Sequence, residues 1–159
     1  MDILFLCVIV FLFLLAVFDL SVGVSNDAVN FLNSAIGSKA ATFKRILVIA
    51  SIGVFIGAAM SNGMMDIARH GIFRPENFSF YDLICIFMAV MVTDIILLDI
   101  FNTLGMPTST TVSMVFELLG ATFVVSLIKM ASGVDALGFN DYLNTEKALS
   151  VILGIFLSV

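Results

Sequence analysis

The sequence predicts an all-α integral membrane protein. Three features carry this: 61% of the 159 residues are hydrophobic, only 12% are charged, and mean hydropathy is +1.18. Soluble domains carry about 25% charged residues, and a chain of this size needs a mostly polar surface. Too few charged side chains are present to cover one. The apolar residues are grouped into runs that predict about four to five transmembrane helices, with broken or re-entrant segments, in a single transmembrane domain over residues 1–159.

The first run, Ile3 to Leu20, is almost unbroken Leu, Phe, Val and Ile, close to the roughly 20 residues that span the hydrocarbon. A cleavable signal peptide is the rival. It lacks a basic n-region and an A-x-A site, and the apolar run is too long for one. A second block runs from Ile46 to Met60 behind Lys44 and Arg45, a third from Phe80 to Phe101, and a fourth from Thr111 to Ile128 before Lys129. Between the second and third, Ser61 to Ser79 holds Asp66, Arg69, His70, Arg74, Pro75, Glu76 and Asn77, which is loop chemistry at a membrane surface. The last run, Ala148 to Val159, starts as a fifth span and stops short, so the expectation is a chain ending in mid-helix, a fragment of a longer protein. An interfacial helix is the alternative, but the run has no charged face.

The net charge of −5 comes from acids scattered singly, so no acidic tail or basic patch points to nucleic acid. Cys7 and Cys85 lie apart in apolar stretches and read as packing residues. His70 has no second His or Cys at ligand spacing, which argues against a metal site. Lys and Arg are spread too evenly over the loops to orient the chain.

Two polar segments carry chemistry. GVSNDAVNFLNSAIGSK, Gly23 to Lys39, follows the first span; on a helix Asn26, Asn30, Asn33 and Gly37 form one stripe, with Asp27 and Ser34 beside it. An acid at membrane depth is costly unless it meets a cation, a partner or water, so Asp27 is the leading candidate. Its carboxylate and the Asn26 and Asn30 oxygens suit a hard cation such as sodium, while the amide N–H groups suit an oxyanion. An ordinary extramembrane loop is the alternative.

In the second segment, NTLGMPTSTTVS from Asn102 to Ser113, Gly105 and Pro107 interrupt an apolar sequence and hydroxyl residues follow. A helix restart is expected there, with Thr108, Ser109, Thr110 and Thr111 presenting hydroxyls and free amides to an anion. A capped loop between spans is the alternative. Broken backbone is tolerated in lipid only where protein or a water-filled cavity satisfies it. Two broken segments therefore place a site between them. Asp94, Asp99, Asp19 and Glu117 are further acids in the spans; Asp94 and Asp99 do not share a helical face, and Glu117 lies mid-span.

Both segments resemble the paired signatures of the inorganic phosphate transporter (PiT) family. Asn26, Asp27, Asn30, Ser34, Gly37 and Ser38 match its GANDVANAFGTSVGS-like stretch without gaps, and Gly105, Pro107, Ser109, Thr110 and Thr111 match its GxPVSTTH-like stretch. GAAMSNGMMDIARHGIF, Gly57 to Phe73, also looks like the family's segment after its second span. Val24 and Ser25 depart from Gly-Ala, Asn33 from Gly, and Val112 from His.

The resemblance implies secondary active transport of inorganic phosphate, not enzyme chemistry, with sodium or a proton as coupling ion and no other cofactor. It assigns Asn26, Asp27 and Asn30 to ion and anion and Ser109, Thr110 and Thr111 to the anion. Family members have two inverted halves, each with both motifs; one copy of each is present here, so the chain resembles the N-terminal half. Expected partners are phosphate, lipid, the second half and a homodimeric copy, in a cell (inner) membrane. The alternatives are another tetrahedral oxyanion such as sulfate, and a non-transporting membrane subunit.

Overall fold

The computed structural model describes residues 3–61, 71–106, 108–133 and 137–157. Asp66, Arg69, His70, Pro107 and Val159, named above, lie outside them. Helix α1 (Ile3–Gly37) is followed by α2 (Phe43–Ala59), a 3-10 turn (Pro75–Asn77), α3 (Phe80–Leu104), α4 (Thr110–Ser132), the single turn α5 (Phe139–Tyr142) and α6 (Thr145–Leu157).

Helices α1, α3 and α4 are long and apolar enough to cross a membrane. The expected second span is the 17-residue α2, and the last apolar run forms the 13-residue α6. Large apolar side chains on α1 and α2, among them Phe13, Phe18, Ile49 and Phe55, are exposed. Such an apolar exterior fits an integral membrane protein.

One expectation is corrected. The Asn-Asp segment does not break the helix: α1 runs unbroken for 35 residues through it, about 52 Å at roughly 1.5 Å per residue. Asn and Ser disrupt helices mainly by bonding their own backbone. Here the Asn26 and Asn30 amides bond to Thr108 instead, and no proline interrupts residues 3–37. The second interruption is present, because α3 stops at Leu104 and α4 starts at Thr110.

Helices α1 and α3 run parallel. Phe5 near the start of α1 stacks against Phe80 and Tyr81 at the start of α3, with ring centroids 5.8 and 5.5 Å apart, and farther along the Asn102 amide reaches the Val22 carbonyl at 3.5 Å. Helix α4 returns antiparallel along α3, so its start meets the second half of α1. This register brings the two polar segments together.

Ser79 starts α3 through a capping box with Asp82, a reciprocal arrangement that satisfies free amides of the first turn. The same Asp82 carboxylate accepts from Lys129 Nζ at 3.0 Å, joining the start of α3 to the end of α4. Lys129 also donates to the Asn77 carbonyl at 3.3 Å and lies 5.7 and 5.6 Å from the ring centroids of Phe78 and Tyr142. Around it Ile72, Phe73, Phe78, Ile86, Val90, Val115, Leu118 and Tyr142 form the buried core. Phe73 and Leu143 make an isolated antiparallel bridge that ties the loop before α3 to the turn before α6. Lys129→Ala therefore removes an ion pair, a hydrogen bond and two cation–ring contacts at once. The expected loss is about 2 kcal/mol, read as a lowered unfolding midpoint of the detergent-solubilised protein.

Candidate functional site

The site is built where α4 begins against α1. Helix α3 ends with Gly105 in the left-handed conformation, φ 68°, and the amides of Gly105 and Met106 return to the Asn102 and Phe101 carbonyls at 3.1 and 2.9 Å. Glycine takes this conformation without a Cβ penalty. The short connector then reaches Ser109, whose Oγ accepts from the Val112 amide at 3.4 Å and caps α4. The first amides of a helix have no partner within the helix, so those of Thr110 and Thr111 are presented at its start, where the helix dipole favours an anion.

Facing this start is the Asn-Asp motif of α1. Asn26 Nδ2 donates to the Thr108 carbonyl at 2.6 Å, the Thr108 amide donates to Asn26 Oδ1 at 3.3 Å, and Asn30 Nδ2 donates to the same carbonyl at 3.1 Å. The Thr110 hydroxyl lies 3.2 and 3.3 Å from the two oxygens of Asp27, donating one hydrogen shared between them. Gly23 lies beside this contact, where a Cβ would sit at ordinary packing distance, 3.9 Å, from the Thr110 methyl. Asn26 is fully buried, Asp27 is half-buried and Asn30 exposed.

Of the residues singled out in the sequence, Asn26 and Asn30 are therefore joined to Thr108, and Asp27 to Thr110. Ser109 is an exposed cap, and Thr111 is exposed on the first turn of α4 with no side-chain hydrogen bond to the motif among the described residues. Asn33 and Ser34 continue the polar stripe, exposed, toward the end of α1. The part of Thr108 that matters here is its peptide; the sequence singled out its hydroxyl.

Deeper in the bundle, Ser113 Oγ lies 2.9 Å from Asp94 Oδ1 and 2.7 Å from Glu117 Oε1, and Asp19 of α1 neighbours Asp94. Asp94 is buried, whereas Asp99 is exposed. One hydroxyl hydrogen serves only one acceptor at full strength, so Ser113 joins the two carboxyl groups through a single shared donor. One oxygen each of Asp19 and Glu117 is shielded from solvent without a hydrogen-bond partner among the described residues. No group of three potential metal ligands is found among the described residues. Glu117 also lines a mostly apolar groove of about 500 Å³ between α3 and α4, with Cys85, Ala89, Thr93 and Gly120. Ser113 was missed in the sequence; its signal was the i, i+4 spacing to Glu117 on α4.

Comparison with family models decides the relationship, because the model of the phosphate transporter family matches residues 23–159. The chain belongs to the phosphate transporter family. The match begins at Gly23, where the Asn-Asp segment opens, and takes in the α3–α4 connector, so both halves of the junction just described fall within it. Comparison with curated proteins and with solved structures gives no match.

The junction makes one further expectation concrete. Thr110→Val keeps the shape of the side chain and removes the one hydroxyl that meets Asp27 among the described residues. Phosphate uptake is expected to fall about tenfold, the worth of one charge-assisted hydrogen bond, with the unfolding midpoint unchanged within about 1 kcal/mol.

Proposed function

We propose that this phosphate transporter family member carries inorganic phosphate by secondary active transport, coupled to sodium or protons. The observation that supports this most is the hydrogen bond between Thr110 and Asp27. It joins a carboxylate to a helix start rich in hydroxyls and free amides, opposite charges of ligand on adjacent groups. Asp27 and the Asn30 side-chain oxygen suit a small hard cation. The Ser109 and Thr111 hydroxyls and the amides of Thr110 and Thr111 suit a tetrahedral oxyanion without fixed positive charge. A bound cation offsets the repulsion between Asp27 and the anion, which is a direct physical source of coupling.

The exposed polar face of α1, with Asn30, Asn33 and Ser34, supports a second, inverted half that closes the site, in an inner cell membrane. Alternating exposure between two such halves moves the substrate. A homodimer is compatible with this arrangement. Sulfate is the competing anion, favoured by Val112, which stands where the family's phosphate motif carries His.

Equilibrium binding to the purified full-length gene product tests the assignment. Labelled phosphate is expected to bind more tightly in sodium chloride, or at lower pH, than in choline chloride at neutral pH, and unlabelled sulfate in tenfold excess is expected not to displace it. Displacement by equimolar sulfate moves sulfate to the front, and binding indifferent to both cations removes the coupling.

A further inference from the structure

Asn26 is the one member of the Asn-Asp motif with no surface to offer a ligand. Its side chain is fully buried, and both ends of its amide engage both polar groups of a single residue. Nδ2 donates to the Thr108 carbonyl at 2.6 Å, and Oδ1 accepts from the Thr108 amide at 3.3 Å. An asparagine side chain carries the same donor and acceptor as a peptide, so this pairing imitates two strands closing a hydrogen-bonded ring. Thr108 lies between α3 and α4 and in neither helix, so its backbone N–H and C=O must be satisfied from elsewhere.

Two residues beyond Thr108 stands Thr110, whose hydroxyl meets Asp27. Asn26 and Asp27 are adjacent on α1, so whatever fixes Thr108 against Asn26 also fixes the start of α4 against Asp27. We infer that Asn26 is a positioning residue: it locks the Thr108 peptide to α1 and so sets the Thr110 hydroxyl and the first amides of α4 against Asp27, without touching phosphate or the coupling ion. Asn30, whose amide reaches the same carbonyl from the exposed side, keeps its oxygen for a ligand.

The transport readout of this inference rests on the phosphate reading, so the test has two arms, one independent of transport. In the first, the full-length gene product in proteoliposomes is assayed for labelled phosphate uptake as Asn26→Ala, Asn26→Asp, Thr110→Val and Asn26→Ala with Thr110→Val. Asn26→Ala is expected to lower kcat/KM about 10- to 100-fold. The double variant is expected to be no worse than the weaker single variant, because both changes break one chain of contacts. Asn26→Asp sets a carboxylate oxygen against the Thr108 carbonyl and is expected to lose as much as Asn26→Ala. Losses that multiply in the double variant overturn the inference, as does an Asn26→Asp protein that keeps uptake and binds sodium more tightly, the signature of a direct ion ligand.

The second arm needs no variant. Residue-resolved hydrogen exchange on the wild-type protein is expected to show the Thr108 amide protected without phosphate or sodium and unchanged on adding them. Free exchange that slows only when they bind overturns the inference. A wild type that takes up no phosphate removes the transport reading and leaves this arm intact.

Discussion

Asp27→Asn is expected to abolish phosphate uptake driven by a cation gradient, lowering kcat/KM by at least about 100-fold, or roughly 3 kcal/mol, while the protein remains folded. Among the described residues the Asp27 carboxylate accepts a hydrogen bond from the Thr110 hydroxyl alone. An Asn oxygen still accepts that hydroxyl, though without the charge, so the fold loses little. The negative charge is what disappears. Under the proposed coupling, a hard cation at this junction loses the Asp27 counter-charge, and the energetic link between cation and anion goes with it. The prediction is checked by measuring uptake with and without the gradient in wild type and variant, with the unfolding midpoint as control. A variant that retains gradient-driven uptake places the coupling ion elsewhere.

The second large effect is expected on stability. Ser113→Ala removes the hydroxyl that lies between Asp94 and Glu117 and leaves two carboxyl groups facing each other in a buried setting. Loss of a buried hydrogen bond with its partners left unsatisfied costs about 1–3 kcal/mol. The detergent-solubilised variant is expected to unfold at a clearly lower temperature. Adding Asp94→Asn, which supplies an amide donor beside Glu117, is expected to recover most of the loss. An unchanged midpoint in Ser113→Ala means the hydroxyl is not what holds these carboxyl groups together.

Much of the fold was legible because membrane helices announce themselves by length and apolar content. The third and fourth runs became α3 and α4 close to the expected limits, and Ser79, Gly105 and Gly133 mark helix ends in the structure as such residues do. The continuity of α1 was not legible. A run containing Ser25, Asn26, Asp27, Asn30 and Asn33 reads as an interruption, and only partners eighty residues away explain why the helix persists.

The pairing of the two motifs was readable through the family resemblance. The burial of Asn26 and the role of the Thr108 peptide were not, since backbone contacts leave no mark on side-chain chemistry. Asp19, Asp94 and Glu117 each looked like an isolated acid. Their convergence follows from the parallel register of α1 and α3, which no local pattern encodes. The short α5 and the bridge between Phe73 and Leu143 were likewise invisible, being set by tertiary packing around Tyr142.

The central claim is that this chain serves phosphate transport through the junction of Asp27 and the start of α4. Its most direct test is uptake of radiolabelled phosphate by proteoliposomes containing the full-length gene product, with an inward sodium or proton gradient and without one. The account predicts phosphate accumulation above equilibrium in one of the two gradients and none in their absence. Folded, correctly inserted protein that accumulates no phosphate under either gradient contradicts it.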